Sequence, residues 1–196
     1  MRSKLWLSLC VLHAVASMLV WWTGDRLAAW MIWRVGDWTE RPWSLWTSAW
    51  VHMNTQHLIS NQLAVGALAA MAWVLRPGLR ASLAWLLAWP FIPLVLPYWP
   101  HIGYYAGLSG LVHAALAVVG VYLMAGEAKV PMARRWGMML LGGVWIKLLI
   151  ERGWHWPVVW SDNLGISVVQ ASHLVGAVFG MAAMLALLHK VFNRAG

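Results

Sequence analysis

NTQHLISNQLAVGALAAMAWVL, residues 54–75, is apolar over most of its length, and a membrane crossing takes about 20 residues. Its first turns nevertheless carry His57 and Asn61, four residues apart and so on one helical face. Such groups are expensive in hydrocarbon unless they pair or line a wet cavity, which makes a polar cluster inside a span a candidate functional site. Two other apolar stretches carry polar groups at the same depth. One has Gly107-Leu-Ser109-Gly110 near its start; the other has Ser172-His173, followed by Gly176 and Gly180.

Composition extends the membrane reading to the whole chain. The 196 residues are 62% apolar and 10% charged, with a mean hydropathy of +0.65, and the apolar residues fall in long blocks rather than stripes. That pattern belongs to a polytopic, all-α membrane protein and excludes an ordinary soluble domain. Six segments read as spans: Leu5 to Trp22, Asn54 to Leu75, Ala81 to Trp99, Leu108 to Ala125, Ala133 to Ile150, and Ile166 to His189. Gly24-Asp25, Arg76-Pro77-Gly78, Pro97 with Pro100, Gly126-Glu127 and the stretch from Trp154 to Asp162 separate them. A bundle of six transmembrane helices uses residues 1–196 as one domain and leaves no room for a second. Pro90, Pro93 and Pro97 predict a kinked third helix.

Charge supplies an orientation. With the N terminus inside, Arg2, Lys4, Arg76, Arg80, Lys129, Arg134, Arg135, Lys190 and Arg194 are inner, against Arg26, Arg34, Arg41 and Arg152 outside. This bias satisfies the positive-inside rule, places both termini in the cytoplasm and leaves Lys147 to snorkel outward. It also explains the net charge of +8 without a nucleic-acid partner. A cleaved signal peptide is the competing reading of the first apolar run, which Arg2 and Lys4 precede. The run exceeds the usual core of about 7 to 15 residues and lacks a clear small-x-small site, so it is retained as a helix. The 18 tryptophans concentrate near span ends and read as an aromatic belt. The tryptophan-rich stretch from Asp25 to Val51 is too long for an ordinary loop and is expected in or on the outer leaflet. Cys10 stands alone, which rules out an internal disulfide, and reads as a core residue. No residue spacing requires a metal or an organic cofactor.

Ser109 opens its span directly after an outer loop, where a helix N terminus offers unpaired N–H groups. His173 falls about two turns into the last span at a matching level. Gly176 and Gly180 share its helical face, and Gly110, Ala114 and Ala117 form a second stripe of small residues, so the two helices can approach closely. The pairing brings a base to an alcohol nucleophile, the requirement of serine catalysis. The nearest acid along the sequence is Asp162, outside the span, so the expected machinery is a Ser-His dyad. His57 and Asn61 are then candidate oxyanion donors. Each element has a plainer reading: a small-residue packing patch, a structural histidine, and polar glue between helices. Lys147 and Glu151 have the spacing of a helix i,i+4 pair.

Taken together, H-x4-H-x3-N from His52 through His57 to Asn61, GxSG from Gly107 to Gly110, and HxxGxxxG from His173 to Gly180 resemble the rhomboid intramembrane serine proteases, in the family's order along the chain. The resemblance implies Ser109 as nucleophile, His173 as general base, and His57, Asn61 and the Ser109 backbone as the oxyanion hole. It also implies an outward water-filled cavity with span five gating entry, a membrane-associated first outer loop, and a bacterial inner-membrane location. Three positions depart from the family's pattern. Ser44 follows Trp43 where arginine is usual, leaving the anchoring of the long first loop open. Ser172 stands for alanine and can add a hydrogen bond. His113 replaces an aromatic residue, commonly tyrosine, on which the base stacks, and is expected to alter pH behaviour.

Tyr105 to His113 and Lys147-x3-Glu151 are similar to the rhombosortase subgroup. That similarity implies membrane-anchored protein substrates with glycine-rich C-terminal sorting tails; general single-span clients are the alternative. Two further readings compete. A membrane cytochrome would hold haem between two histidines and show a Soret band. A catalytically silent client-binding protein would never react with a serine-directed probe.

Overall fold

The computed structural model describes residues 3–192. Arg2 and Arg194, and the side chain of Lys190, all counted in the charge bias, lie outside the described part. In chain order the helices are α1 (Lys4–Thr23), α2 (Asp25–Met31), α3 (Ser44–Thr47), α4 (Thr55–Leu75), α5 (Leu79–Val95), α6 (Ser109–Met124), α7 (Ala133–Glu151) and α8 (Gln170–Phe192). Among the described residues four helices are long and apolar enough to cross a membrane: α1, α4, α5 with the 3-10 turn that extends it to Tyr98, and α8. α6 is apolar but short, at 16 residues. α7 is long enough at 19 residues but carries Arg134, Arg135, Lys147 and Glu151, two charges near each end.

α6 occupies the centre of the bundle. Its residues from Gly110 to Leu123 are buried on all sides except at Leu116, as expected of a helix with no polar face. It lies closest to α8, and glycine makes that possible. A Cβ added at Gly176 would come 2.0 Å from the Gly110 carbonyl oxygen, and one at Gly180 would come 2.4 Å from that of Ala114. The two small-residue stripes read from the sequence therefore face each other. α1 and α4 instead turn large apolar side chains outward, Val11, Leu19, Leu63 and Trp73 among them, as lipid-facing helices do.

α4 begins where Asn54 accepts a hydrogen bond from the His57 N–H at 2.8 Å, an N-cap that ties the first turn to the preceding loop. α5 contains Pro90 and Pro93, with Pro97 in the closing 3-10 turn. Two short antiparallel ladders close the Ser109 end of the bundle. β1 (Trp33–Arg34) pairs with β2 (Tyr104–Tyr105), and β3 (Val159–Ser161) pairs with β4 (Ile166–Val168).

Three sequence expectations need correction. Ile166 to Val168 is a strand, not the start of the last helix, because Gly165 at φ +63° turns the chain back and Ile166, Ser167 and Val168 pair with β3. α8 starts at Gln170, so His173 lies in its first turn rather than two turns in. The tryptophans are not only a belt: Trp6, Trp33 and Trp85 are fully buried. Trp6 donates to the Leu68 carbonyl at 3.3 Å and Trp85 to that of Leu111 at 3.0 Å, so indole N–H groups join helices inside the bundle.

The long segment between α1 and α4 is ordered without the arginine after Trp43 that the resemblance would lead one to expect. The Trp43 indole donates to the Trp30 carbonyl at 3.1 Å and stacks on the Trp30 ring at 4.8 Å, while Arg41 pairs with Asp37 and donates to the Ala29 carbonyl. Ser44 itself is buried.

Candidate active site

The turn entering α6 is held from three sides. The Gly107 N–H donates to the Ser48 carbonyl at 3.0 Å, and the Tyr105 hydroxyl donates to the Gly107 carbonyl at 2.9 Å. Burial pushes the Tyr105 phenol pKa up, so it stays a hydroxyl and keeps this donor. Gly107 has φ +109°, and a Cβ there would lie 2.6 Å from the His57 ring. Only glycine lets His57 and Asn61 approach the backbone just before Ser109.

Ser109, the first residue of α6, places its Oγ 3.0 Å from His173 Nε2. On the other edge of that imidazole, Nδ1 lies 3.0 and 3.1 Å from the two carboxylate oxygens of Glu151. A carboxylate only accepts, so Nδ1 carries the proton and Nε2 offers its lone pair to the serine hydroxyl. This corrects the expectation of a Ser-His dyad without an acid. Glu151 is 22 residues from His173 in sequence but ends the neighbouring helix. Arg152, at φ +51°, reverses the chain, and Gly153 then packs so tightly that a Cβ would meet the Gln170 carbonyl oxygen at 2.7 Å. That closure sets the last residue of α7 beside the first turn of α8. Lys147 pairs with the same carboxylate, so the i,i+4 pair is formed and is part of the site. An acid one residue from the end of an apolar stretch, on the same side as Ser109, was the available signal; distance along the chain concealed it.

His113 lies one turn after Ser109 and donates from Nδ1 to the Ser109 carbonyl at 2.7 Å. Its ring stacks on that of His173, with centroids 4.2 Å apart and planes within 16°. The imidazole thus provides the stacking surface. Ser172 donates to the Val169 carbonyl at 2.7 Å, which spends its hydroxyl on the α8 N terminus.

On the opposite side of Ser109, His57 and Asn61 are buried. The Met53 N–H points to His57 Nδ1 at 3.5 Å, so His57 carries its proton on Nε2, which with Cε1 forms the ring edge facing Gly107. Among the described residues, Asn61 Nδ2 is a buried donor with no hydrogen-bond partner. A buried unpaired donor is costly, which makes it a natural place for developing negative charge. A small cavity of about 20 Å³ between His57, Tyr105, Ser109 and Ser172 has room for one water. A larger one of about 490 Å³ adjoins Glu151 and His173 on the other side. His52 is buried too, its Nδ1 donating to the Trp50 carbonyl at 3.1 Å, and its ring sits 4.9 Å from that of His57. Burial, with the neighbouring His57 second, lowers the His52 pKa to about 4.

His113, Glu151 and His173 each offer one donor atom within 4.8 Å of the others, but the two imidazole planes are stacked within 16°, so their in-plane lone pairs do not converge on one ion. No protein-family model matches the chain, and no curated protein matches it either.

Proposed function

We propose that this chain is a rhomboid-type intramembrane serine endopeptidase working through a Ser109–His173–Glu151 triad. The observation that carries the reading is the line of hydrogen bonds from Ser109 Oγ to His173 Nε2 and from His173 Nδ1 to the Glu151 carboxylate, part-buried among apolar helices. Ser109 attacks the scissile carbonyl as its proton passes to His173 Nε2. The imidazolium is steadied by Glu151, and the oxyanion is met by His57 Nε2–H, Asn61 Nδ2–H and the Ser109 N–H. His173 then protonates the leaving amine. The acyl group on Ser109 is released by water activated by the same nitrogen.

In this reading α1, α4, α5, α6, α7 and α8 all cross the membrane, in a bacterial inner membrane with both termini cytoplasmic and the site toward the outer face. The substrate is a membrane-anchored protein, of the rhombosortase type a glycine-rich C-terminal tail ahead of one apolar helix and a basic cluster. Glycines near that helix end let it unwind into the site. Entry beside α7 is supported by its packing. α7 is fastened to α6 at Gly137 and through a small cluster of Ala117, Val144, Leu148 and Ala177, while Met139, Ile146 and Ile150 face outward.

The test is co-expression with a reporter bearing such a tail, comparing the parent with Ser109→Ala and His173→Ala and sequencing the released C terminus. Cleavage at the glycines that both variants abolish is expected. Equal cleavage by Ser109→Ala would overturn the mechanism, and cleavage of only a generic single-span substrate would discard the sorting-tail assignment.

A further inference from the structure

At the end of the bundle away from Ser109, a cavity of about 440 Å³ lies between the last turn of α4, the end of α6 and the loop that follows α6. Arg76 and Lys129 line it, together with Trp73, Val74, Tyr122 and Glu127. Its volume is that of an ordinary small-ligand site, about 300–1,000 Å³. α4 has 21 residues and is therefore about 31 Å long, close to the roughly 30 Å hydrocarbon core of a bilayer. A membrane crossed by α4 thus brings this cavity to the depth of the lipid headgroups.

The charge here is unbalanced. Arg80 donates to Glu127 at 3.3 Å and neutralises it, while among the described residues neither Arg76 nor Lys129 pairs with a carboxylate. The cavity therefore keeps two uncompensated cations. Arg76 is also held in an unfavourable backbone conformation. It closes α4 at φ +50°, in the left-handed region that glycine enters without strain, and it precedes Pro77, which restricts it further. Its N–H donates to the Ala72 carbonyl and its own carbonyl accepts from the Tyr122 hydroxyl at 3.1 Å, so the strained turn is fixed from both sides. Glycine would end the helix more easily, but only arginine brings a guanidinium to the cavity.

We propose that this cavity binds the phosphodiester headgroup of an anionic phospholipid, with Arg76 and Lys129 as charge-assisted donors to the phosphate oxygens. Free phosphate would answer the charge alone, but the surface beside the cavity selects a lipid. Trp73 is 77% exposed, as suits an indole at the interface. Ile59, Leu63, Ala70 and Val74 lie exposed along one side of α4, an apolar track that leads away from the cavity and along which an acyl chain can lie. Glu127 on the cavity wall opposes a doubly charged phosphate monoester and tolerates a singly charged diester. The site is separate from Ser109 and does not rest on the protease reading.

The test mixes the full chain in a non-ionic detergent with phosphatidylglycerol, phosphatidylcholine or inorganic phosphate at equal concentration. Bound lipid is read by native mass spectrometry and stabilisation by the thermal midpoint, for the parent, Arg76→Gly, Lys129→Gln and Arg134→Gln. Phosphatidylglycerol is expected to stay bound to the parent and raise its midpoint, and the other two to do so far less. Arg76→Gly and Lys129→Gln should each bind phosphatidylglycerol about fivefold more weakly, the worth of one basic residue beside an anionic lipid. Arg134→Gln, which removes an exposed cation on the first turn of α7 that does not line the cavity, should bind as the parent does. Without lipid, Arg76→Gly should unfold no earlier than the parent, because glycine relieves the turn, so its weaker binding is not a lost fold. Equal retention of the two lipids, or an equal loss in Arg134→Gln, would reduce the effect to diffuse charge and overturn the site. A midpoint raised as far by inorganic phosphate as by phosphatidylglycerol would overturn the lipid assignment.

Discussion

Glu151 is the residue whose role most changes the chemistry. Its carboxylate fixes the His173 proton on Nδ1 and, in the proposed mechanism, faces the imidazolium that forms when Ser109 gives up its proton. Glu151→Gln keeps the shape but offers an amide N–H to Nδ1, favouring the wrong tautomer. The expected outcome is a fall in kcat of about 10³- to 10⁴-fold with KM little changed, the signature of a lost triad acid. A loss below about tenfold in steady-state kinetics on a tailed substrate would mean that serine and histidine act as a dyad.

His52 makes a separate prediction, for stability. Unfolded, it titrates near 6.5; folded, its pKa is lowered to about 4, so the unfolded state binds more protons between those values. The stability contributed by keeping it neutral is full above about pH 6.5 and is lost as pH falls toward 4, amounting to about 3 kcal/mol at most. Thermal unfolding in detergent should therefore show the midpoint dropping across that interval, and His52→Gln should flatten the slope. An unchanged slope in the variant would assign the acid sensitivity elsewhere.

Between helices, the decisive contact is α6 against α8. Gly176 lies where a Cβ would stand 2.0 Å from a backbone oxygen, and the same approach holds His173 against Ser109. Gly176→Ala is expected to push the helices apart, costing about 1–3 kcal/mol as overpacked cores do and lowering activity with it. Gly142 on α7 is the contrast: a Cβ added there would meet no heavy atom of the described residues within 4 Å. Gly142→Ala should be neutral or stabilising by up to about 1 kcal/mol through helix propensity. Scanning fluorimetry of the two variants in one detergent checks both, and equal destabilisation would remove the close-packing explanation.

For the molecule as a whole, the open quantity is the number of crossings. Four helices qualify by length and composition, while α6 is short and wrapped by its neighbours and α7 carries charges near both ends. A six-crossing arrangement predicts that alkaline phosphatase fused after His101 is active and that fusions after Gly78 or Gly126 are not. Activity at Gly126 would place the start of α7 on the outer side and overturn the proposed orientation.

The membrane class, the bounds of α1 and α4, the Ser109 helix start and the facing stripes of small residues were all legible in the amino-acid sequence. Hydropathy and helical periodicity are local properties, and each span carries its own record of them. The meeting of Glu151 with His173 was not legible, because a separation of 22 positions is closed by one left-handed residue at Arg152 and by the contact of Gly153 with Gln170. Nor was the β3–β4 hairpin: Val159 to Ser161 reads as part of a break between spans and Ile166 to Val168 as the start of the last helix until each supplies the other's hydrogen bonds. Trp6 and Trp85 likewise could have been belt residues until a carbonyl on another helix accepted each indole N–H. Sequence determined which groups lie within the apolar bundle; only the tertiary structure decided which of them touch, because a hydrogen bond depends on position in space and not on distance along the chain.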